Sequence, residues 1–284
     1  IMSKNIDKKI TDENIQNCNI NIFGDWINNK LKCNTEPISY ILIDNFLNND
    51  TYNLISKDYP DKPYKTWWKY ENPLEVKYAN DNISEYPENT QNLFYALSHH
   101  KIITKFQNIF NIPNLEYDPY CHGGGLHMMP KHGRLNIHLD YEIHPITNKK
   151  RRLNIVLYMN DEWNESWNGD TQLWDKTMSK CMVKSFPKGN RALIFVTNDN
   201  SWHGIPDKII CPKNIFRKTI AFYYVSENII DDKKLEYRTK ASFVKRPSDN
   251  YDERLEKLFN IRPNRRIEQE DLDNIWPEWN KIKY

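Results

Sequence analysis

The sequence predicts a mainly β protein with flanking helices, its strands gathered into a sandwich or barrel. After Pro119 the segments RLNIHLD, RRLNIVLYMN, TQLWD, RALIFVT, WHGI and RKTIAFYYV follow one another, separated by turns rich in Gly, Asn, Asp, Pro or Lys. Many short strands at near-regular spacing build sandwiches and barrels. Aromatic residues make up 13% of the 284 positions while glycine occurs only 8 times, so much of the apolar mass sits in rings that suit sheets and pocket walls. Before Pro113 the apolar residues recur instead at three- and four-residue intervals, the helical period.

Taken in order, residues 1–37 are rich in Asn and Lys and read as a partly ordered arm. Residues 38–230 read as one domain, helical to about residue 115 and a β-barrel core over about 116–230. YILIDNFL has the pattern of a strand entering a turn, and NNDTYNLISKDY follows with an Asp/Thr start and helical spacing of Tyr52, Leu54, Ile55 and Tyr59. TQNLFYALSH and KIITKFQNIFNI predict two more short helices. From residue 231 to 284 the chain is charged again and reads as an extension packing on the core, with one short helix.

Forty basic against thirty-eight acidic residues leave a net charge of +2, spread along the chain, and a nucleic-acid partner normally leaves a stronger basic footprint. Cys18, Cys33, Cys121, Cys181 and Cys211 are odd in number and never arranged as CxxC, so neither a disulfide framework nor a Cys-rich zinc site follows. No apolar run approaches the roughly 18–20 residues that span a bilayer, and the polar start IMSKNIDKKITDEN has no secretory core. A soluble, cytoplasmic protein without a membrane partner is expected.

The chemistry begins in the strand Arg134–Asp140. His138 and Asp140 stand two residues apart, and side chains at i and i+2 leave the same face of a strand. One imidazole and one carboxylate then converge, two parts of the facial triad that binds Fe(II) and leaves positions open. By itself an HxD in a strand is a weak metal signal. His203, in NDNSWHGIPD, is the leading third ligand. In RKTIAFYYV, Arg217 and Thr219 share a face by the same rule, and a guanidinium fork with a neighbouring hydroxyl suits a dicarboxylate. Lys218 must point the other way.

The succession HLD, RRLNIVLYMNDEW, GDTQLWD, NRALIFVTNDNSWHGIP, RKTIAFYY resembles the 2-oxoglutarate/Fe(II) dioxygenases of the prolyl 4-hydroxylase-like group, in order and in spacing, from about Ile41 through Pro247. The resemblance implies a double-stranded β-helix, a jelly-roll or cupin-like core with helices outside its larger sheet. It implies iron ligands at His138, Asp140 and His203, and Arg217 with Thr219 beside it on the distal carboxylate of 2-oxoglutarate. Tyr158, in IVLYMN, matches a tyrosine that reaches the same carboxylate, against the plain alternative of a core tyrosine. The cofactors implied are Fe(II), 2-oxoglutarate and O2, with ascorbate as reductant. The activity implied is hydroxylation of a C–H bond, foremost that of a prolyl residue in a peptide or protein, with release of succinate and CO2. Two other readings stay open: a non-catalytic metal-binding β-barrel, and an oxygenase acting on a nucleic-acid base or small molecule.

His122, His127, His132 and His144 surround the HxD in sequence, and a zinc site among them is a competing possibility. HGGGLH reads more simply as a flexible loop entering the barrel, with His127 placed first in the loop or behind the site and second as lining the active site. Trp67, Trp68, Tyr70 and Lys77 form an aromatic and basic stretch, read first as a patch packed on the barrel and second as a substrate-side lid. Trp163, Trp167 and Trp174 are expected to bury ring area beside the sheets.

Overall fold

The computed structural model describes residues 9–227 and 237–281; residues 1–8 of the expected arm and the expected boundary at 230/231 lie outside them. The helices are α1 (Asp12–Asn17), α2 (Asn49–Asp58), α3 (Glu88–Leu97), α4 (His100–Phe110), α5 (Glu253–Ile261) and α6 (Gln269–Ile275). The three helices read between residues 49 and 112 are present. Asn48 caps α2, its side chain accepting from the Thr51 amide at 2.9 Å. Asn111, in the left-handed conformation, ends α4 two residues before Pro113.

The strands are β1 (Tyr40–Ile43), β2 (Trp68–Asn72), β3 (Glu75–Asn80), β4 (Glu116–Tyr117), β5 (Gly125–Met129), β6 (Arg134–Leu139), β7 (Lys150–Tyr158), β8 (Thr171–Trp174), β9 (Cys181–Ser185), β10 (Ala192–Val196), β11 (His203–Ile205), β12 (Arg217–Ser226) and β13 (Ser242–Phe243). Their pairings are antiparallel throughout. The path runs β1-β10-β7-β12-β5-β3-β6-β11-β8-β9. β3 is where the sheet folds over: its end Tyr78–Asn80 pairs with β5, and its start Glu75–Val76 pairs with β6. The result is a sheet curled into a half-barrel, the double-stranded β-helix expected.

The outer face of the larger sheet is covered by α2, α3 and α4, where Phe94, Phe106, Leu153, Ile155, Phe222 and Tyr224 form one apolar cluster. Ile10, Ile22, Phe23 and Trp26, from the segment expected as an arm, belong to that same cluster. The single C-terminal helix expected is two helices, because Leu258, Phe259, Leu272 and Trp279 pack together on Leu74, Val76 and Phe243 at the fold-over seam. Burying those side chains outweighs the segment's high charge.

Two readings are corrected here. HGGGLH is not wholly a loop, since from Gly125 it is strand β5, paired to β3 and β12. Gly125 has φ of 97° and a Cβ there would lie 2.0 Å from the Asn80 carbonyl oxygen, so the glycines permit a close strand crossing rather than flexibility. The aromatic and basic stretch is a β2–β3 hairpin that treats its tryptophans differently: Trp67 is 5% exposed and Trp68 is 51% exposed.

Candidate active site

His138 is directly opposite His203 in the β6–β11 register, and that pairing brings together two residues far apart in the chain. Their ring centroids are 4.3 Å apart. Asp140 follows two residues after His138, with Oδ1 at 3.4 Å from His138 Nε2 and Oδ2 at 3.5 Å from His203 Nε2. Among the described residues this is the one group of His, Cys, Asp or Glu side chains that could hold a metal ion, its ligand atoms lying within 4.8 Å of one another. The neighbouring histidines form no such group.

Each imidazole is oriented by its own strand. His138 Nδ1 is 2.9 Å from the Asn136 carbonyl and His203 Nδ1 is 2.7 Å from the Ser201 carbonyl. A carbonyl only accepts, so both Nδ1 atoms carry hydrogen and both Nε2 lone pairs face Asp140. Phe243 stacks on His138 at 5.0 Å and Phe195 lies 4.7 Å from His203, fixing the ring planes. Burial and the neighbouring His138 push His203 down to about 4, so it is a neutral donor near neutral pH. Burial alone would raise the Asp140 carboxyl, but Arg151, His203 and His138 together hold it well below the usual carboxylate range.

Arg217 opens β12 with its side chain inside the barrel and only 2% exposed. It donates from Nε to the Gly169 carbonyl at 2.7 Å and from Nη2 to Thr171 Oγ1 at 2.9 Å. Thr219 stands two residues on, registered between Tyr158 of β7 and His127 of β5. Lys218 points outward, 3.3 Å from Asp61, as alternation requires. Tyr158 is fully buried behind Thr171: its hydroxyl donates to Thr171 Oγ1 at 2.9 Å or to the Ser185 carbonyl at 3.0 Å. Thr171 and Thr219 both line the cavity beside Arg217.

One cavity of about 560 Å³ contains the His138, Asp140 and His203 group together with Arg217, Thr219 and Thr171. Several of its residues escape a strand-alternation reading. Arg151 and Asn154 differ by an odd number of residues, yet both face inward. Opposite Tyr224 and Val225, β7 carries one extra residue, Arg152, and such a bulge reverses the parity of everything before it. Arg151 lies flat on the Tyr223 ring at 3.2 Å, with Nη2 at 3.6 Å from Asp140. Its Nε and Nη2, the Asn154 Oδ1 and the His127 Nε2 are buried without a hydrogen-bond partner. His127 projects from β5 into the cavity, and burial with nearby Lys77 pushes it down to about 3. Asn264, Arg265 and Arg266, from the turn between α5 and α6, close the mouth, and no local pattern places them there.

Trp163 and Trp167 meet edge to face at 5.4 Å against Met129, Ile205 and Ile209, and Trp174 is 7% exposed, so all three pack on the sheets. Among the described residues no helix is long and apolar enough to cross a membrane.

Residues 124–225 match the family model of the 2OG-Fe(II) oxygenase superfamily. A search of curated proteins finds no match. Among solved structures, a Pseudomonas putida prolyl-4-hydroxylase is 11% identical with a TM-score of 0.51, covering 66% of this chain and 93% of its own. A Trichoplax adhaerens prolyl hydroxylase, solved with a hypoxia inducible factor peptide fragment, is 14% identical with a TM-score of 0.48 over 75% of this chain and 91% of its own. A collagen prolyl hydroxylase of Paramecium Bursaria Chlorella virus-1 is 13% identical with a TM-score of 0.44 over 66% and 96%. The first of these likenesses is one of fold. Residues 124–225, the part that matches that family model, run from β5 into β12 and include His138, Asp140, His203, Arg217 and Thr219.

Proposed function

We propose that the protein is a 2-oxoglutarate-dependent hydroxylase of the prolyl 4-hydroxylase-like kind. In this reading His138, Asp140 and His203 hold Fe(II), and Arg217 with Thr219 and Thr171 holds the distal carboxylate of 2-oxoglutarate. The observation that carries it is the single cavity joining a two-imidazole, one-carboxylate group to a buried guanidinium. The donor set suits Fe(II) with open positions. The buried guanidinium suits the co-substrate, since Arg217 makes no ion pair among the described residues, Asp170 acting on it only at longer range, and burial pulls it below the ordinary arginine value. A bound dicarboxylate supplies the missing counter-charge.

Fe(II), 2-oxoglutarate and O2 together supply the oxidant for a C–H bond, with succinate and CO2 released. The protein residues orient and enclose. The Asn136 and Ser201 carbonyls fix the imidazole tautomers, and Arg151 and Asn154 (Nδ2 at 3.4 Å) brace the Asp140 carboxylate. Arg151 Nε, which makes neither a hydrogen bond nor the ion pair to Asp140, is left as a donor for a group bound beside the metal ligands. A peptidyl substrate, foremost a prolyl residue, is the reading this supports, together with the order of sequence motifs.

The test is succinate formation by purified protein with Fe(II), 2-oxoglutarate and ascorbate, and mass spectrometry of candidate peptides for a one-oxygen gain. His138→Ala is expected to abolish turnover. Arg217→Ala is expected to raise KM for 2-oxoglutarate about 10–100-fold, the loss of a charged hydrogen-bond pair. Turnover indifferent to both substitutions would overturn the reading.

A further inference from the structure

We propose that the cavity mouth is shaped for an acidic stretch of polypeptide, whose carboxylates flank the residue presented to the metal site. The proposal rests on the hydroxylase reading and adds the charge of the substrate to it.

Two segments distant in sequence wall the mouth, the β2–β3 hairpin and the turn between α5 and α6. Across it Arg266 lays its guanidinium over Trp68 at 4.6 Å and Tyr70 at 5.1 Å, and Lys77 Nζ lies 4.9 Å from the same Tyr70 ring. The rings hold these cations in place without neutralising them.

Charge at the rim is unbalanced in one direction. Each carboxylate lining the cavity is already engaged. Glu75 lies between Arg262 at 2.9 Å and Lys77 at 3.4 Å, Asp81 pairs with Lys9 at 3.0 Å, Asp140 belongs to the metal group, and Glu268 caps α6. Arg265 is neutralised by Asp271. Arg266 and Lys240 have no acidic partner among the described residues, and one carboxylate, Glu75, serves two cations. Set against Glu268, whose capping bonds leave its charge in place, Arg266, Lys240 and the surplus of the Lys77/Arg262 pair leave a net of about two positive charges facing the opening. A cleft lined by one sign concentrates ligands of the other.

The rings decide between acidic polymers. Single-stranded nucleic acid binds by stacking bases on free aromatic faces, but here Arg266 already occupies a face of Trp68 and, with Lys77, crowds Tyr70. The net charge of +2 also offers little counter-ion release. Aspartate and glutamate side chains need only the fixed guanidinium and ammonium groups.

The experiment uses the full chain loaded anaerobically with Fe(II) and 2-oxoglutarate, and three labelled peptides of about fifteen residues centred on proline. Their flanks are Asp/Glu, Ser/Gly or Lys/Arg. Fluorescence anisotropy is expected to show the acidic peptide bound at least about tenfold tighter than the neutral one, with the gap closing at high salt. Arg266→Glu and Lys240→Glu should each weaken the acidic peptide about tenfold and bring the basic one closer, Arg266→Gln should fall between, and Lys30→Glu, away from the cavity, should change nothing. Equal affinity for the three peptides, preference for the basic one, or stronger competition by a single-stranded oligonucleotide would overturn the proposal. Acidic-peptide binding that responds to these reversals in a protein forming no succinate would uphold the mouth and defeat the hydroxylase reading instead.

Discussion

At Thr171 one hydroxyl oxygen meets two donors, Arg217 Nη2 at 2.9 Å and the Tyr158 hydroxyl at 2.9 Å. Arg217, Thr219 and Tyr158 could be picked out by their place in strand motifs. Thr171 could not, because it is one residue of an ordinary strand until the fold sets it beside Arg217. Tyr158 illustrates the converse, since its motif position is clear while its ring lies 5.3 Å from the Arg217 guanidinium and its hydroxyl sits behind Thr171. Thr171→Val should leave the guanidinium one bond short in a buried place, which costs about 1–3 kcal/mol. The expected result is a KM for 2-oxoglutarate raised about tenfold with a smaller change in kcat, and recovery in Thr171→Ser. An unchanged KM would remove Thr171 from the co-substrate site.

Between strands, the separation of β6 and β11 governs whether the proposed iron ligands meet. Gly204 sits beside His203, and a Cβ there would lie 2.7 Å from the Leu135 carbonyl and 2.8 Å from that of Asn136. Gly204→Ala must therefore push β11 off β6 and draw His203 away from His138. Displacing a ligand without deleting it should lower Fe(II) affinity about 10–100-fold, the scale of changes around metal ligands. Titration of the charge-transfer band of the Fe(II)–2-oxoglutarate chelate, with a melting curve to verify folding, measures this; wild-type affinity in a folded variant would contradict it. The i, i+2 rule found His138 with Asp140 and Arg217 with Thr219, because it needs only regular strands. It failed at Arg151, because the bulge at Arg152 is a property of two strands together.

For the molecule as a whole, the C-terminal helices are tied to the site through a buried chain of contacts. Arg262 pairs with Glu75 at 2.9 Å and lies 5.5 Å from the Phe243 ring, which stacks on His138. Removing one partner of a buried pair strands the other charge. Arg262→Ala should cost about 3 kcal/mol in denaturant unfolding, with Lys77 limiting the loss, whereas Arg262→Met with Glu75→Gln should cost less than the single change. A single variant as stable as wild type would show that the helices are not anchored there. The sequence by itself determined the β-rich core, the three helices before it and the pairs His138/Asp140 and Arg217/Thr219, because period and alternation are written in local spacing. The tertiary structure alone decided that His203 stands opposite His138, that Arg151 turns inward, and that Arg262 and Arg266 reach the cavity. Those depend on register, bulge and docking, which arise only when segments far apart in the chain bury their faces against one another.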